Sequence, residues 1–242
     1  MPTIREGLHP SLPQKEGRMI RLNRDLVERC TVSFFRRGWP TLPDIRLVEV
    51  DGQRAVVKDW SRRGWLRRLL QGRFMLRREH GFLRRLEGVD GVPRSYGFPD
   101  ADSLAIEYFE GRELSEVHPQ DYPVDYWDRL ESLVTAVHRC GIAHGDLDQE
   151  DNIMVLQSGA PAVIDFGGAM SRVPWPFSLW YELLELHDLH CVYRYRHQFR
   201  MGPVTATPPP GLADWQKRVL VGFRKMERKE LTRTHGRGIK DA

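Results

Sequence analysis

The reading turns on one stretch: Ala143-His-Gly-Asp-Leu-Asp-Gln-Glu-Asp-Asn152-Ile-Met-Val-Leu156, then a Ser158-Gly159 turn, then Ala162-Val-Ile-Asp-Phe-Gly167. Ala143–Leu147 is a loop by composition. Asn152–Leu156 and Ala162–Asp165 are short apolar runs with turn residues between them, the pattern of a β-hairpin. Antiparallel pairing sets the start of one strand beside the end of the other. Asn152 and Asp165 are therefore expected to be neighbours, a pair of oxygen ligands suited to a hard cation such as Mg²⁺.

Upstream, Ile45–Val50 and Arg54–Lys58 flank Asp51-Gly52, the residue pair of a type I′ hairpin. Alternation puts Val56 and Lys58 on one face of the second strand, with Ala55 and Val57 on the other. A helix is expected over 73–87, where Met75, Phe82, Leu83 and Leu86 form one apolar stripe. Glu79 falls inside that stripe, and an ionised acid on a buried face requires a buried cation. Ser103–Phe109 reads as a strand ending in a Glu110-Gly111 turn. A second helix over 126–140 carries Leu130, Val134, Val137 and His138 on one side, His138 being read as a satisfied core histidine. From about Phe177 the chain reads as mostly helical, with a proline-rich break at 203–210.

Each of these pieces is weak alone; their order is informative. A strand lysine, a buried helix glutamate, His-Gly-Asp, Asn and Asp-Phe-Gly together resemble the protein-kinase-like superfamily across about residues 45–170. Ala55-Val-Val-Lys58 resembles its nucleotide-binding strand, Ile106-Glu-Tyr-Phe-Glu-Gly111 its hinge, and His144-Gly-Asp146 and Asp165-Phe-Gly167 its catalytic and metal-binding motifs. The resemblance implies an α+β, two-lobed fold, with a small antiparallel-sheet lobe and a mainly helical lobe. It also implies ATP and Mg²⁺. Lys58 would hold phosphates and Glu79 would hold Lys58. Asp146 would orient or accept the proton of the attacking hydroxyl. Asp165 and Asn152 would bind the metal. Adenine would sit on Val56 and on the backbone of Glu107 and Phe109.

The departures matter as much. No Gly-x-Gly-x-x-Gly precedes Lys58. The loop reads His-Gly-Asp without the arginine that receives a phosphorylated activation loop. From Asp146 to Asn152 is one residue longer than usual, so either the loop bulges and Asn152 is the second ligand, or Asp151 takes over. The Asn-Ile-Met-Val run favours Asn152. No Ala-Pro-Glu follows Asp-Phe-Gly. These features resemble the bacterial lipopolysaccharide (Kdo/heptose) kinases, which implies a sugar or glycolipid hydroxyl as acceptor. The alternatives are an atypical RIO-like Ser/Thr protein kinase and a catalytically silent nucleotide-binding scaffold.

Composition is that of a globular chain. It has 242 residues, 40% of them hydrophobic, with 7 Trp and 10 Phe, which excludes wholesale disorder. No apolar run reaches the roughly 18–20 residues of a membrane span. Met1-Pro-Thr-Ile-Arg-Glu-Gly7 has no apolar signal region, and Cys30, Cys140 and Cys191 make no metal or disulfide pattern. A cytoplasmic protein is expected. Residues 1–106 carry 21 Lys+Arg against 13 Asp+Glu, and residues 107–223 carry 9 against 17. The chain accordingly divides into a loose segment 1–20, a nucleotide-binding lobe 21–106, a catalytic lobe 107–223 and a basic tail 224–242. Arginines crowd residues 62–85, interleaved with Trp60, Trp65 and leucines. They form either a solvated helix back or a peripheral contact with anionic membrane at the inner-membrane cytoplasmic face. They match no RNA-binding module, so no nucleic-acid partner is expected.

Overall fold

The computed structural model describes residues 21–38, 41–118, 121–174 and 178–201. The expected segment 1–20, the break at 203–210 and the tail 224–242 lie outside the described residues. Helix α1 (Arg24–Arg29) begins at Asn23, whose side chain accepts from the Leu26 N–H, the usual device for an orphan helix donor. Strands β1 (Thr31–Arg36), β2 (Asp44–Val50), β3 (Gln53–Asp59), β4 (Ser95–Asp100) and β5 (Ser103–Glu107) form an antiparallel sheet in the order β1-β2-β3-β5-β4.

The β2–β3 turn is the expected Asp51-Gly52, with φ of 51° and 75°. Two positive φ values are what a two-residue type I′ turn requires. Continuous register from Val50↔Gln53 to Ile45↔Lys58 sends Ala55 and Val57 to one face of the sheet. Val57 buries there with Val27, Val48 and Ala105. Lys58 is left on the other face, toward the helix that follows. The far end of β3 is fixed by charge: the fully buried Asp59 takes Arg46 at 2.5 Å and Arg24 at 2.8 Å. Although burial opposes its charged form, hydrogen bonds from Arg24 and Ser61 hold the Asp59 carboxyl below its ordinary pKa.

Helix α2 (Trp65–Arg67), a π-helical turn (Arg68–Gly72) and α3 (Arg73–Arg85) follow one another without a break. The helix therefore starts earlier and stops sooner than the sequence suggests. Its buried stripe is Leu76, Glu79, Phe82 and Leu83; Met75 is only half-buried. Leu76 stands seven residues before Leu83, two turns along the same face, and Met75 is turned to the flank.

Strand β5 ends at Glu107, short of the expected Phe109. Gly111 is not in a turn: it opens β6 (Gly111–Glu113), which pairs with β8 (Ile153–Leu156), itself paired with β9 (Pro161–Val163). A Cβ at Gly111 would lie 2.5 Å from the Val155 carbonyl oxygen, so close backbone approach is what requires glycine. Helix α4 (Tyr126–Arg139) and the short β7 (Ile142–Ala143) precede β8. Strand β10 (Met170–Ser171) pairs with β7, and α5 (Ser178–Met201) packs on α4. One apolar core runs from Trp60, Leu83 and Leu86 through Leu130, Val134 and Val137 to Phe166 and Tyr195. It joins α3 to the helical half and so sets where Glu79 sits relative to Asp165. Among the described residues no helix is long and apolar enough to cross a membrane.

Candidate active site

Lys58 has 9% of its side chain exposed, and an ammonium at that depth needs partners. It has two. Its Nζ donates to Glu79 Oε1 at 2.7 Å and to Asp165 Oδ1 at 2.6 Å. β3 supplies the lysine, α3 the glutamate, and the chain after β9 the aspartate. Burial works against the ammonium, but Glu79 and Asp165 outweigh it and hold Lys58 above its ordinary pKa. Burial also works against the Asp165 carboxylate; Lys58 and the Gly167 N–H outweigh it and hold the group below the ordinary range. Glu79 is the deeper carboxylate, 4% exposed against 40% for Asp165. Glu79 is thus the fixed partner at the floor, and Asp165 is the one at the mouth.

The hairpin mouth is closed as the sequence implies. Ile153 pairs with Val163, and the Ile164 N–H donates to the Asn152 carbonyl at 2.9 Å. Asp165 then turns sharply, with φ 62° and ψ 70°, a left-handed conformation that Asp adopts more readily than most residues. Its Oδ1 also receives the Gly167 N–H at 3.2 Å.

Asp146 is held from two sides. Gln149 Nε2 donates to its Oδ1 at 2.9 Å, and Asn152 Nδ2 donates to its Oδ2 at 3.1 Å and its carbonyl at 2.8 Å. That leaves the Asn152 amide oxygen for another partner. Asp151 is exposed and receives the Ser115 hydroxyl at 3.2 Å, away from the cleft. The loop therefore accommodates its extra residue by turning Asp151 outward.

A cleft of 350 Å³ gathers Lys58, Glu79, Asp146, Asn152 and Asp165, with Trp60, Met75 and Leu76 as its apolar wall. Val56, Glu107 and Phe109 do not line it. Val56 is half-buried on β3, and Phe109 is half-buried beyond the end of β5. The Glu107 carboxylate is engaged by Arg94 through the backbone N–H at 3.0 Å, Nε at 3.2 Å and Nη2 at 3.0 Å. Where a glycine lid is missing, Arg36, Leu42 and Pro43 reach the cleft instead. Sequence reading missed Arg36 and Gln149: one is an arginine among many, the other an unremarked amide inside a loop.

The anchor of the loop is Asp188 on α5, fully buried. Its Oδ2 accepts the His144 N–H at 2.7 Å and its Oδ1 the Gly145 N–H at 2.8 Å. His138 Nε2 lies 3.0 Å from Oδ2, which explains a histidine on the apolar face of α4. His144 in turn places Nε2 2.9 Å from the Ile164 carbonyl, so that nitrogen carries the proton. Burial pushes the imidazole pKa down and keeps it neutral. The ring packs edge-on against Phe166 at 4.7 Å. One buried carboxylate and one neutral histidine thus tie the Asp146 loop to the Asp165 turn. Among the described residues no group of three or more His, Cys, Asp or Glu side chains is placed to hold a metal alone. A cation here would rest on Asn152, Asp165 and oxygens brought by a ligand, the usual arrangement for Mg²⁺.

A five-stranded antiparallel sheet, a helix glutamate paired to a strand lysine, and a catalytic-type loop ahead of a metal-type turn define the protein-kinase-like fold. The chain belongs to the RIO domain family, whose pattern it matches over residues 28–205. Two solved structures of Rio2 kinase from Chaetomium thermophilum share the fold. One, described as an ADP/Mg²⁺-phosphoaspartate complex, is 22% identical with a TM-score of 0.54, covering 77% of this chain and 61% of that one. The other is 18% identical with a TM-score of 0.55, covering 84% and 76%. This chain thus spans less than two thirds of the first structure's length. A search of curated protein sequences returns no match.

Asp188→Asn replaces an acceptor of two backbone N–H groups with a side chain that also presents donors. We expect a loss of about 1–3 kcal/mol in urea denaturation, with a larger cost than His138→Gln, which removes only one partner of the same carboxylate.

Proposed function

We propose that this chain is an ATP- and Mg²⁺-dependent phosphotransferase of the atypical protein-kinase type, acting on a hydroxyl acceptor, with its two lobes meeting near residues 106–107. The observation that carries this is the Lys58 ammonium held between Glu79 and Asp165 at 2.7 and 2.6 Å, in the same cleft as an Asp146 oriented by Gln149 and Asn152. Phosphoryl transfer spreads charge over phosphate oxygens, so positioned charge is most of what such a site supplies. Glu79 stays at the floor and keeps Lys58 extended toward the phosphates. Asp165, the more exposed of the two carboxylates, together with the Asn152 amide oxygen, is where the metal would be held. Mg²⁺, when bound there, would offset charge on the phosphate oxygens. Asp146 faces the acceptor hydroxyl and takes its proton, with both its oxygens aimed by hydrogen bonds. Val56 and the Glu107–Phe109 backbone remain the expected adenine contacts.

The RIO family match favours a serine or threonine hydroxyl of a protein as acceptor. Nothing in the comparisons supports the sugar or glycolipid acceptor of the lipopolysaccharide kinases. A silent scaffold would have no use for a catalytic aspartate oriented by two amides. With labelled ATP and Mg²⁺, we expect label on protein and not on an envelope glycolipid fraction. Asp146→Asn and Asp165→Asn should each lower turnover by about 10²-fold or more. No labelled acceptor and no MgATP thermal shift for the wild type would defeat the proposal.

A specific surface supports peripheral attachment to anionic membrane as well. Trp65, Leu66, Leu69, Leu70 and Phe74 are exposed, Trp65 by 69%, along a helix that also exposes Arg67 and Arg77. Apolar and basic residues alternate there as they do in interfacial helices. Co-sedimentation with vesicles containing phosphatidylglycerol, and not with pure phosphatidylcholine, is the expected result. A Trp65→Ser/Leu70→Ser/Phe74→Ser variant should remain in the supernatant; equal sedimentation of this variant would remove the idea.

A further inference from the structure

Helix α3 has a second polar face, turned away from Lys58. Arg77, Arg78 and Arg85 meet Met170 and Ser171 of β10 around a groove of 390 Å³ with no acidic residue in its lining. Arg78 donates to the Ala169 carbonyl; Arg85 donates to the Cys140 carbonyl at 2.8 Å and to Ser171 Oγ at 3.3 Å. All of these acceptors are neutral. Among the described residues none of the three guanidiniums has a carboxylate partner. Their neighbours differ: Arg68 and Arg73 share Asp102, and Arg84 pairs with Glu87. Three neighbouring cations without a counter-charge repel one another, and an anion between them relieves that repulsion.

Gly81 is the independent sign. It lies in the helix interior, four residues from Arg77 and four from Arg85, on the face they share. A glycine there costs about 1 kcal/mol relative to alanine. Packing does not ask for it, since a Cβ at Gly81 would find nothing within 4 Å. The missing side chain leaves an open notch between the two arginines.

We propose that this groove is a binding site for a phosphate-class anion, a phosphate monoester or inorganic phosphate. Guanidinium forks suit such a group, whose tetrahedral oxygens take several N–H donors at once. The phosphate has two possible sources. One is a ligand in solution. The other is Ser171 itself, whose Oγ already faces Arg85. In that case the Ser171 Oγ–P bond forms as the β–γ P–O bond of a nucleoside triphosphate breaks. The diphosphate leaves and the hydroxyl proton passes to the Asp146 carboxylate of the copy that transfers the phosphate. Either way the anion fastens α3 to the segment just after Asp165, and Arg78 is the residue next to Glu79. Occupancy therefore holds the Lys58–Glu79–Asp165 cluster together. This regulatory consequence rests on the phosphotransferase reading; the binding does not.

The test is calorimetric titration of inorganic phosphate into the full chain at fixed ionic strength. We expect saturable binding that weakens at least tenfold in Arg77→Gln/Arg85→Gln and in Gly81→Glu. The second variant enters open space and so spares the fold. Binding should persist in Lys58→Met, which reports phosphate in the catalytic cleft. Loss in Lys58→Met with less than threefold change in Gly81→Glu would overturn the assignment, as would no saturable binding at all. Mass spectrometry after incubation with MgATP separates the sources. Phosphate on Ser171 identifies the chain's own serine, and binding that persists in Ser171→Ala without modification identifies a ligand in solution. A chain that binds phosphate here but turns over no ATP would keep this site and discard the kinase reading.

Discussion

One buried ammonium organises this molecule. Lys58 is almost wholly removed from water, and its charge is tolerable only because Glu79 and Asp165 both reach it. The three residues come from a strand, a helix and a turn far apart in sequence, so a single electrostatic requirement constrains three pieces of fold at once. Removing one partner of such a cluster leaves an uncompensated buried charge, which is far costlier than never having had the pair. The two carboxylates of the cluster differ in depth. Glu79 lies at the floor of the cleft, 4% exposed, and Asp165 at its mouth, 40% exposed.

The rest of the architecture serves that placement. Asp59 clamps the end of β3 through Arg46 and Arg24, one residue from Lys58. The apolar core that joins α3 to α4 and Phe166 fixes the distance between Glu79 and the Asp165 turn. Asp188 holds the His144-Gly145 backbone from behind, and His144 passes that rigidity to Ile164. Stiffness of this kind suits the proposed electrostatic positioning, since preorganised charge costs no rearrangement at the moment of reaction.

Much of this was legible in the sequence, because the signals were local or came in a fixed order. Asp51-Gly52 dictates its own turn, strand alternation sends Lys58 to one face, and Glu79 in an apolar stripe demands a cation. Hairpin geometry alone puts Asn152 beside Asp165. What the sequence did not reveal depends on contacts between distant segments. The kinase-like resemblance points only weakly to Asp188 as an anchor of the catalytic loop, and the fold brings it under the His144 and Gly145 N–H groups. Arg36, the last residue of β1, lines the cleft with Leu42 and Pro43, and no motif marks it. Glu110-Gly111 looks like a turn because glycine usually marks one, whereas here Gly111 lets two backbones touch. The resemblance to the lipopolysaccharide kinases rests on chain size, His-Gly-Asp-Leu, an arginine-rich first lobe and a short segment after Asp-Phe-Gly, none of them particular to one branch of a superfamily. The RIO family match spans residues 28–205.

The proposed phosphotransfer makes Lys58 and Glu79 one unit acting on the transferred phosphate. A double-mutant cycle on the phosphotransfer rate tests it most directly. Lys58→Met and Glu79→Gln should each cost about 10²-fold, with the double variant within about threefold of the worse single one, because groups acting together lose their effect together. Independent losses that multiply in the double variant would contradict the account.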